Sequence, residues 1–126
     1  MKKEIINTSQ APAPIGPYNQ ATRANNMLFI SGQIPADPET GELLMSSIEE
    51  ETHRVMKNLK AILEAAGLGF ENVLKTSIFI SDMDNFSRIN EVYGSYFSGE
   101  YPARETVQVA RLPKDVNVEI SAIAAY

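Results

Sequence analysis

Apolar residues fall on both faces of several strand-like segments, and only two helical stripes are available to cover them. In 27–31, Met27 and Phe29 alternate with Leu28 and Ile30. In 73–82, Ile78 and Ile80 alternate with Phe79; in 116–125, Val118, Ile120 and Ala122 alternate with Ile123. Two helices cover only one face of such a sheet. The other face stays bare and partly apolar, which marks a surface that meets a partner. The strands alone therefore predict a homo-oligomer.

The order of elements follows from local signals. Lys3 to Ile6 is a short strand. Residues 8–20 hold Pro12, Pro14, Gly16 and Pro17, so no helix survives there. Residues 20–25 and 27–31 form a hairpin around Asn25-Asn26, a pair that tolerates positive φ. After a loop with Pro35, Pro38 and Gly41, Ser47 opens the first helix. Glu49, Glu50 and Glu51 lie in its first turn, where carboxylates suit the positive end of the helix dipole. Positions 48, 52, 55, 56, 59, 62, 63 and 66 make one apolar stripe. Gly67 then serves as a left-handed cap. A strand over Val73 to Asp82 follows. Asp84 is expected to cap a second helix from Asn85 to Ser98, with the stripe Phe86, Ile89, Tyr93, Tyr96 and Phe97. Thr106 to Arg111 and Val116 to Ala125 are the last strands, joined by a turn over 112–115. The predicted order β-β-β-α-β-α-β-β describes an α+β domain spanning 1–126, one domain by size.

Composition removes whole classes of chemistry. The chain has no cysteine and one histidine, which excludes thiolate nucleophiles, Cys-based zinc sites and multi-His metal cages. Glu49 and His53 stand four residues apart, but one such pair supplies too few metal ligands; His53 reads as a solvated surface residue. Eleven basic against sixteen acidic residues give a net charge of −5, which opposes nucleic-acid binding by counterion release. A small anion held by one or two local cations remains open. MKKEIINTSQ has no apolar run behind it, and no segment approaches the ~18 apolar residues of a membrane span. A soluble, cytoplasmic domain with no membrane partner is expected.

Three polar residues interrupt the apolar pattern. Arg104 shares strand parity with Thr106 and Gln108, opposite Val107 and Val109, and is expected on the face that the helices leave bare. There it either grips a carboxylate through a two-point fork or forms a surface ion pair with Glu105 or Glu100. Glu119 stands between Val118 and Ile120 and points to the same bare face. It either holds and deprotonates a water or pairs with a cation, Arg104 included. Asn90 interrupts the second helix's apolar stripe as a buried amide, pinning a loop or donating to a ligand. Tyr18, after Gly16-Pro17, and Ser31, before Gly32, are polar groups at the ends of a loop and a strand.

Taken with their neighbours, these residues form a recognisable set: GPYNQA at 16–21, SGQIP at 31–35, the Phe86…Asn90…Tyr93…Tyr96-Phe97 stripe, Pro102-Ala103-Arg104 and ARLPKDVNVEISAIA at 110–124. The set resembles the Rid (YjgF-type, reactive intermediate deaminase) family, RidA branch, from about residue 5 to the C-terminus. The resemblance implies a chorismate-mutase-like fold and a homotrimer with a ligand cleft at each subunit interface. It implies hydrolysis of 2-iminobutanoate and 2-iminopropanoate to 2-oxo acids and ammonia, without metal or cofactor. By the same resemblance Arg104 binds the substrate carboxylate and Glu119 orients the attacking water. Tyr18, Ser31, Gly32 and Asn90 line the cleft. Thr106 stands where many relatives carry cysteine, Gln108 where glutamate is common, and Ser121 where a second acid often follows. The alternative, a non-enzymatic small-carboxylate-binding sensor or chaperone-like protein, would need only the arginine; the added Glu119 favours the enzyme.

Overall fold

The computed structural model describes residues 1–126. Six strands and two α-helices follow the predicted order: β1 (Glu4–Ile6), β2 (Ala21–Ala24), β3 (Met27–Gln33), α1 (Ile48–Ala65), β4 (Val73–Ile80), α2 (Phe86–Gly94), β5 (Ala103–Gln108) and β6 (Val118–Ala125). They build one mixed sheet in the order β1-β2-β3-β6-β4-β5. Every neighbouring pair is antiparallel except β4 with β5, whose parallel pairing places α2 in the crossover between them.

α1 begins and ends where its sequence directs. The Ser47 side chain accepts the Glu50 amide at 3.0 Å. At the other end Gly67 takes φ +79°, and the amides of Gly67 and Leu68 return to the carbonyls of Glu64 and Leu63. Between the caps, Val55, Met56, Leu59, Ile62 and Leu63 are fully buried with Leu28, Ile78, Ile80, Val118 and Ile120 of the sheet. α2 joins the same layer through Ile89 and Tyr93. Both helices therefore cover one face. On the other, Phe29 is 45% and Val107 41% exposed, and nothing in the chain covers them.

Several expected boundaries move. α2 closes at Gly94 rather than Ser98, because the chain tightens there: the amides of Tyr96 and Phe97 reach back only three residues, to Tyr93 and Gly94. The aromatic stripe continues on these tighter turns, with Phe97 against Phe70 and Tyr93. Asp82, not Asp84, does the capping. Its carboxylate accepts the Asp84 amide at 2.9 Å and opens a 3-10 turn that feeds α2. β5 starts at Ala103 and stops at Gln108 rather than spanning 106–111. His53 is half-buried rather than solvated, with Nδ1 2.8 Å from the Tyr96 hydroxyl. It makes no pair with Glu49, which instead takes a two-point bond from Arg88 of α2 at 2.9 and 2.7 Å. That bond holds the Glu49 carboxyl down at about 2.

One acid in the first turn of α1 does far more than meet the helix dipole. Glu51 is 0% exposed. Its carboxylate accepts the Asn117 amide at 2.6 Å, the Asn117 side-chain amide at 3.0 Å and the Val118 amide at 3.2 Å. It thereby sets where β6 begins. Glu51→Ala leaves two backbone N–H groups without partners, so a loss of about 3 kcal/mol is expected. Urea unfolding at fixed protein concentration checks this; a midpoint unchanged from wild type would contradict it.

Candidate active site

Arg104 lies on the edge strand β5, and register fixes its direction. It pairs with Thr76, as Thr106 pairs with Ile78 and Gln108 with Ile80. Those β4 residues are the buried, helix-facing ones. Arg104 therefore points to the helix-covered side, not to the bare face expected from the sequence. Val107 and Val109 misdirect the reading: on an edge strand, Val107 belongs to the open face and is not core.

The guanidinium is held by neutral groups. Nη1 donates to Asn90 Oδ1 at 2.6 Å, and the guanidinium carbon lies 5.1 Å from the Tyr93 ring centre and 5.6 Å from that of Phe86. No carboxylate pairs with it, since Glu105 is engaged by Lys75 at 3.1 Å and by Ser77. Arg104 lines an open cleft of about 640 Å³ together with Asn90, Glu91, Tyr93, Tyr101 and Pro102. Asn90 is exposed rather than buried, and its amide oxygen is satisfied by Arg104 rather than by a loop. Beneath it, the Tyr93 hydroxyl bonds Thr76 at 2.8 Å. Burial pushes the Tyr93 hydroxyl up, partly countered by the Thr76 bond and the Arg104 charge. Thr106, the next residue on this face, buries a hydroxyl with no partner.

Glu119 lies on the opposite face, as expected. It pairs with Phe79 of β4, which pairs in turn with the exposed Val107. Across the sheet from it, β3 carries a bulge: Ile30 pairs with Ala122 and Gln33 with Ile120, so Ser31 and Gly32 together face Ser121. The Glu119 carboxylate rests against Gly32. It has no cation partner, Arg104 included, and burial alone pushes its carboxyl above the usual carboxylate range. Beside it, the Ser31 hydroxyl donates to the Asn19 carbonyl at 2.6 Å and the Ser31 amide to the Gln20 carbonyl at 2.9 Å. These bonds hold the 16–20 loop against β3. Tyr18 and Ser31 line a cleft of about 450 Å³ with Phe29 and Ser121, and Tyr18 and Gly32 line a second cavity of about 310 Å³ with Ile15 and Ile34.

A residue not expected to matter fixes this loop. Gln20 is 2% exposed. Its amide nitrogen donates to the carbonyls of Thr8, Ala11 and Pro12, and its oxygen accepts the Thr8 amide. The only sequence signal is a polar side chain placed directly before the short strand β2.

The candidate residues thus form two groups on opposite faces of one sheet. Tyr18, Ser31, Gly32 and Glu119 gather on the open face; Asn90 and Arg104 gather at the helix-side edge. The arrangement can bind an anion at one place and hold a water at the other.

The sequence profile described as Endoribonuclease L-PSP matches residues 8–126. A mouse protein named 2-iminobutanoate/2-iminopropanoate deaminase is 47% identical over 122 residues, covering 97% of this chain and 90% of its own. The chain belongs to the Rid family. Other members extend the likeness. A RutC family protein of Pyrococcus horikoshii is 54% identical over 97% of both chains. A Thermotoga maritima protein described as a putative endoribonuclease superposes on this Rid chain with TM-score 0.96 at 54% identity, over 100% and 98% of the two chains. E. coli TdcF with bound serine does so with TM-score 0.94 at 46% identity, over 98% of both. The mixed six-stranded α+β sheet is thus the Rid fold. No helix of this Rid protein is long and apolar enough to cross a membrane.

The raised Glu119 carboxyl gives a stability prediction with a definite sign. Folding favours its protonated form, so the group is neutral in effect below the ordinary glutamate range, about 4.3, and destabilising as pH rises through the folded value. Glu119→Gln is therefore expected to match wild type at low pH and to exceed it in stability at neutral pH. Urea midpoints across that range check the sign. A variant less stable than wild type at neutral pH would contradict it.

Proposed function

We propose that the protein hydrolyses small 2-imino acids, 2-iminobutanoate and 2-iminopropanoate, to 2-oxo acids and ammonia in the cytoplasm, at sites completed between copies of a homotrimer. The observation that carries the reading is Glu119, a half-buried carboxylate with a raised pKa and no cation beside it. A binding protein for carboxylates has no use for such a group; a hydrolase does. Arg104, with donors free at an open cleft, supplies the complementary cation. The two lie on opposite faces of one chain, and the bare face with its exposed Phe29 and Val107 offers the surface on which a second copy brings them together. The mouse relative's name and the serine held by TdcF point to the same ligand class, small amino-acid-derived carboxylates.

Arg104 grips the substrate carboxylate through a fork of two hydrogen bonds. A water held by Glu119 attacks the imine carbon, and the C–O bond forms as the C=N π pair moves to nitrogen. Glu119 takes a proton from the water and returns it to the nitrogen. In the resulting carbinolamine the hydroxyl proton passes by way of Glu119 to the nitrogen, the C=O of the 2-oxo acid forms, and the C–N bond breaks to release ammonia. Such imines also hydrolyse in water, so a barrier reduction of a few kcal/mol already gives a useful rate, each 1.36 kcal/mol being about tenfold. An RNA-cleaving reading, which the description of the family profile carries, is opposed by the net charge of −5.

A coupled assay tests the proposal. Threonine dehydratase generates the imine in place and semicarbazide competes for it. Wild type should suppress semicarbazone formation, and Arg104→Ala should lose about 10- to 100-fold in kcat/KM with the charge-assisted fork. Suppression by both proteins alike would remove Arg104 from the site. Suppression by neither would leave the carboxylate-binding sensor as the better reading.

A further inference from the structure

We propose that Gly32 is the positioning residue for Glu119: the bare Cα at the β3 bulge is the seat on which the acid's carboxylate rests. The proposal rests on the reading of Glu119 as the group that holds the attacking water. It adds what fixes that group in place.

The geometry is specific. A Cβ built on Gly32 would overlap Glu119 Oε2 outright and would stand 2.9 Å from Cδ and 3.1 Å from Cγ. Three atoms of the acid occupy the space that any side chain at position 32 would need. The requirement is not conformational, because Gly32 does not adopt a positive φ; the glycines that do are Gly41, Gly67 and Gly99. Alanine at 32 is thus compatible with the backbone. The obstructing atoms are the far end of a flexible side chain on the sheet's open face, so the acid can swing away at small cost. Substitution should therefore leave the fold intact and displace the carboxylate.

The bulge explains why the seat exists. Two residues of β3, Ser31 and Gly32, occupy the span opposite Ser121 alone, which interrupts the ladder beside Glu119. Ser31 ties the other side of the bulge to the Asn19 and Gln20 carbonyls. The seat is thus held from the loop as well as from the sheet. With backbone beneath it and no cation of its own chain beside it, the carboxylate stays partly desolvated, which suits a group that must take up a proton and give it back.

The test uses Gly32→Ala, Glu119→Gln and the double variant in the imine assay, with ¹³C-NMR titration of the Glu119 carboxyl in wild type and Gly32→Ala. Gly32→Ala should lower kcat about 10²-fold, with KM little changed, as general acid–base groups do when misplaced. In the Glu119→Gln background the same change should cost about nothing further, because both act through one group. The Glu119 titration should fall toward the ordinary glutamate range in Gly32→Ala while the circular dichroism spectrum stays the same. Losses that multiply in the double variant, or a Glu119 titration identical in both proteins, would overturn the proposal. If Gly32→Ala fails to fold, Glu119→Asp decides: it keeps the acid but draws it back from the seat, and wild-type kcat in that variant would equally overturn it. Should wild type itself hydrolyse no imine, the functional reading falls, and the NMR titration alone still decides whether Gly32 seats the acid.

Discussion

A strand alternates its side chains between two faces, and this period governs where chemistry can occur in the molecule. β4, β5 and β6 run in unbroken register from Thr76 to Ile80, so Arg104 and Glu119 are assigned to opposite faces with no local freedom to change sides. The α1 and α2 layer covers one face except at the β5 edge, where Arg104 stays exposed. The other keeps Phe79 and Val107 in one row with Glu119, and Phe29 with Ile123 in another, with no covering element. An arrangement that needs both the cation and the acid must therefore borrow one of them. The bare face follows from the shortage of helices, and the separation of Arg104 from Glu119 from strand alternation.

What holds the halves in shape is a small number of buried polar side chains. Glu51 fixes the start of β6, and so the register at which Glu119 emerges. Gln20 gathers three carbonyls of the N-terminal loop and keeps Tyr18 beside β3. Asn58, also fully buried, donates to the Ile34 and Ala36 carbonyls and steadies the segment after the bulge. Each satisfies backbone groups that a proline-rich loop or a strand end cannot satisfy alone. A charged or amide side chain in this core is thus tied to the placement of a loop or strand that borders the site.

Much of this was legible in the sequence and some was not, for identifiable reasons. The α1 caps at Ser47 and Gly67, the Asn25 turn and the order of all eight elements follow from local signals, because each depends on residues within a turn of one another. The bare face follows from alternation. The face of Arg104 does not: Val107 looks like core in one dimension and lies on an open edge in three. Glu51 looks like a dipole partner because the amides it binds are more than sixty residues away. The β3 bulge leaves no mark in composition beyond the glycine itself. The aromatic stripe of 85–98 overstates the length of α2 because it persists through turns of tighter pitch. For Arg104 and Glu51 contacts distant in sequence decide the outcome; for α2 it is a local change of pitch.

The central claim, that the site joins Arg104 of one copy to Glu119 of another, is tested most directly by mixing two inactive proteins. Arg104→Ala and Glu119→Gln, denatured together and refolded, should regain imine hydrolysis that neither shows when refolded alone. Random assembly of a ring with one such pairing per interface restores about a quarter of the sites. Recovery near that level is the predicted result. A mixture as inactive as its two components would show that both residues must come from the same chain, and would contradict the account.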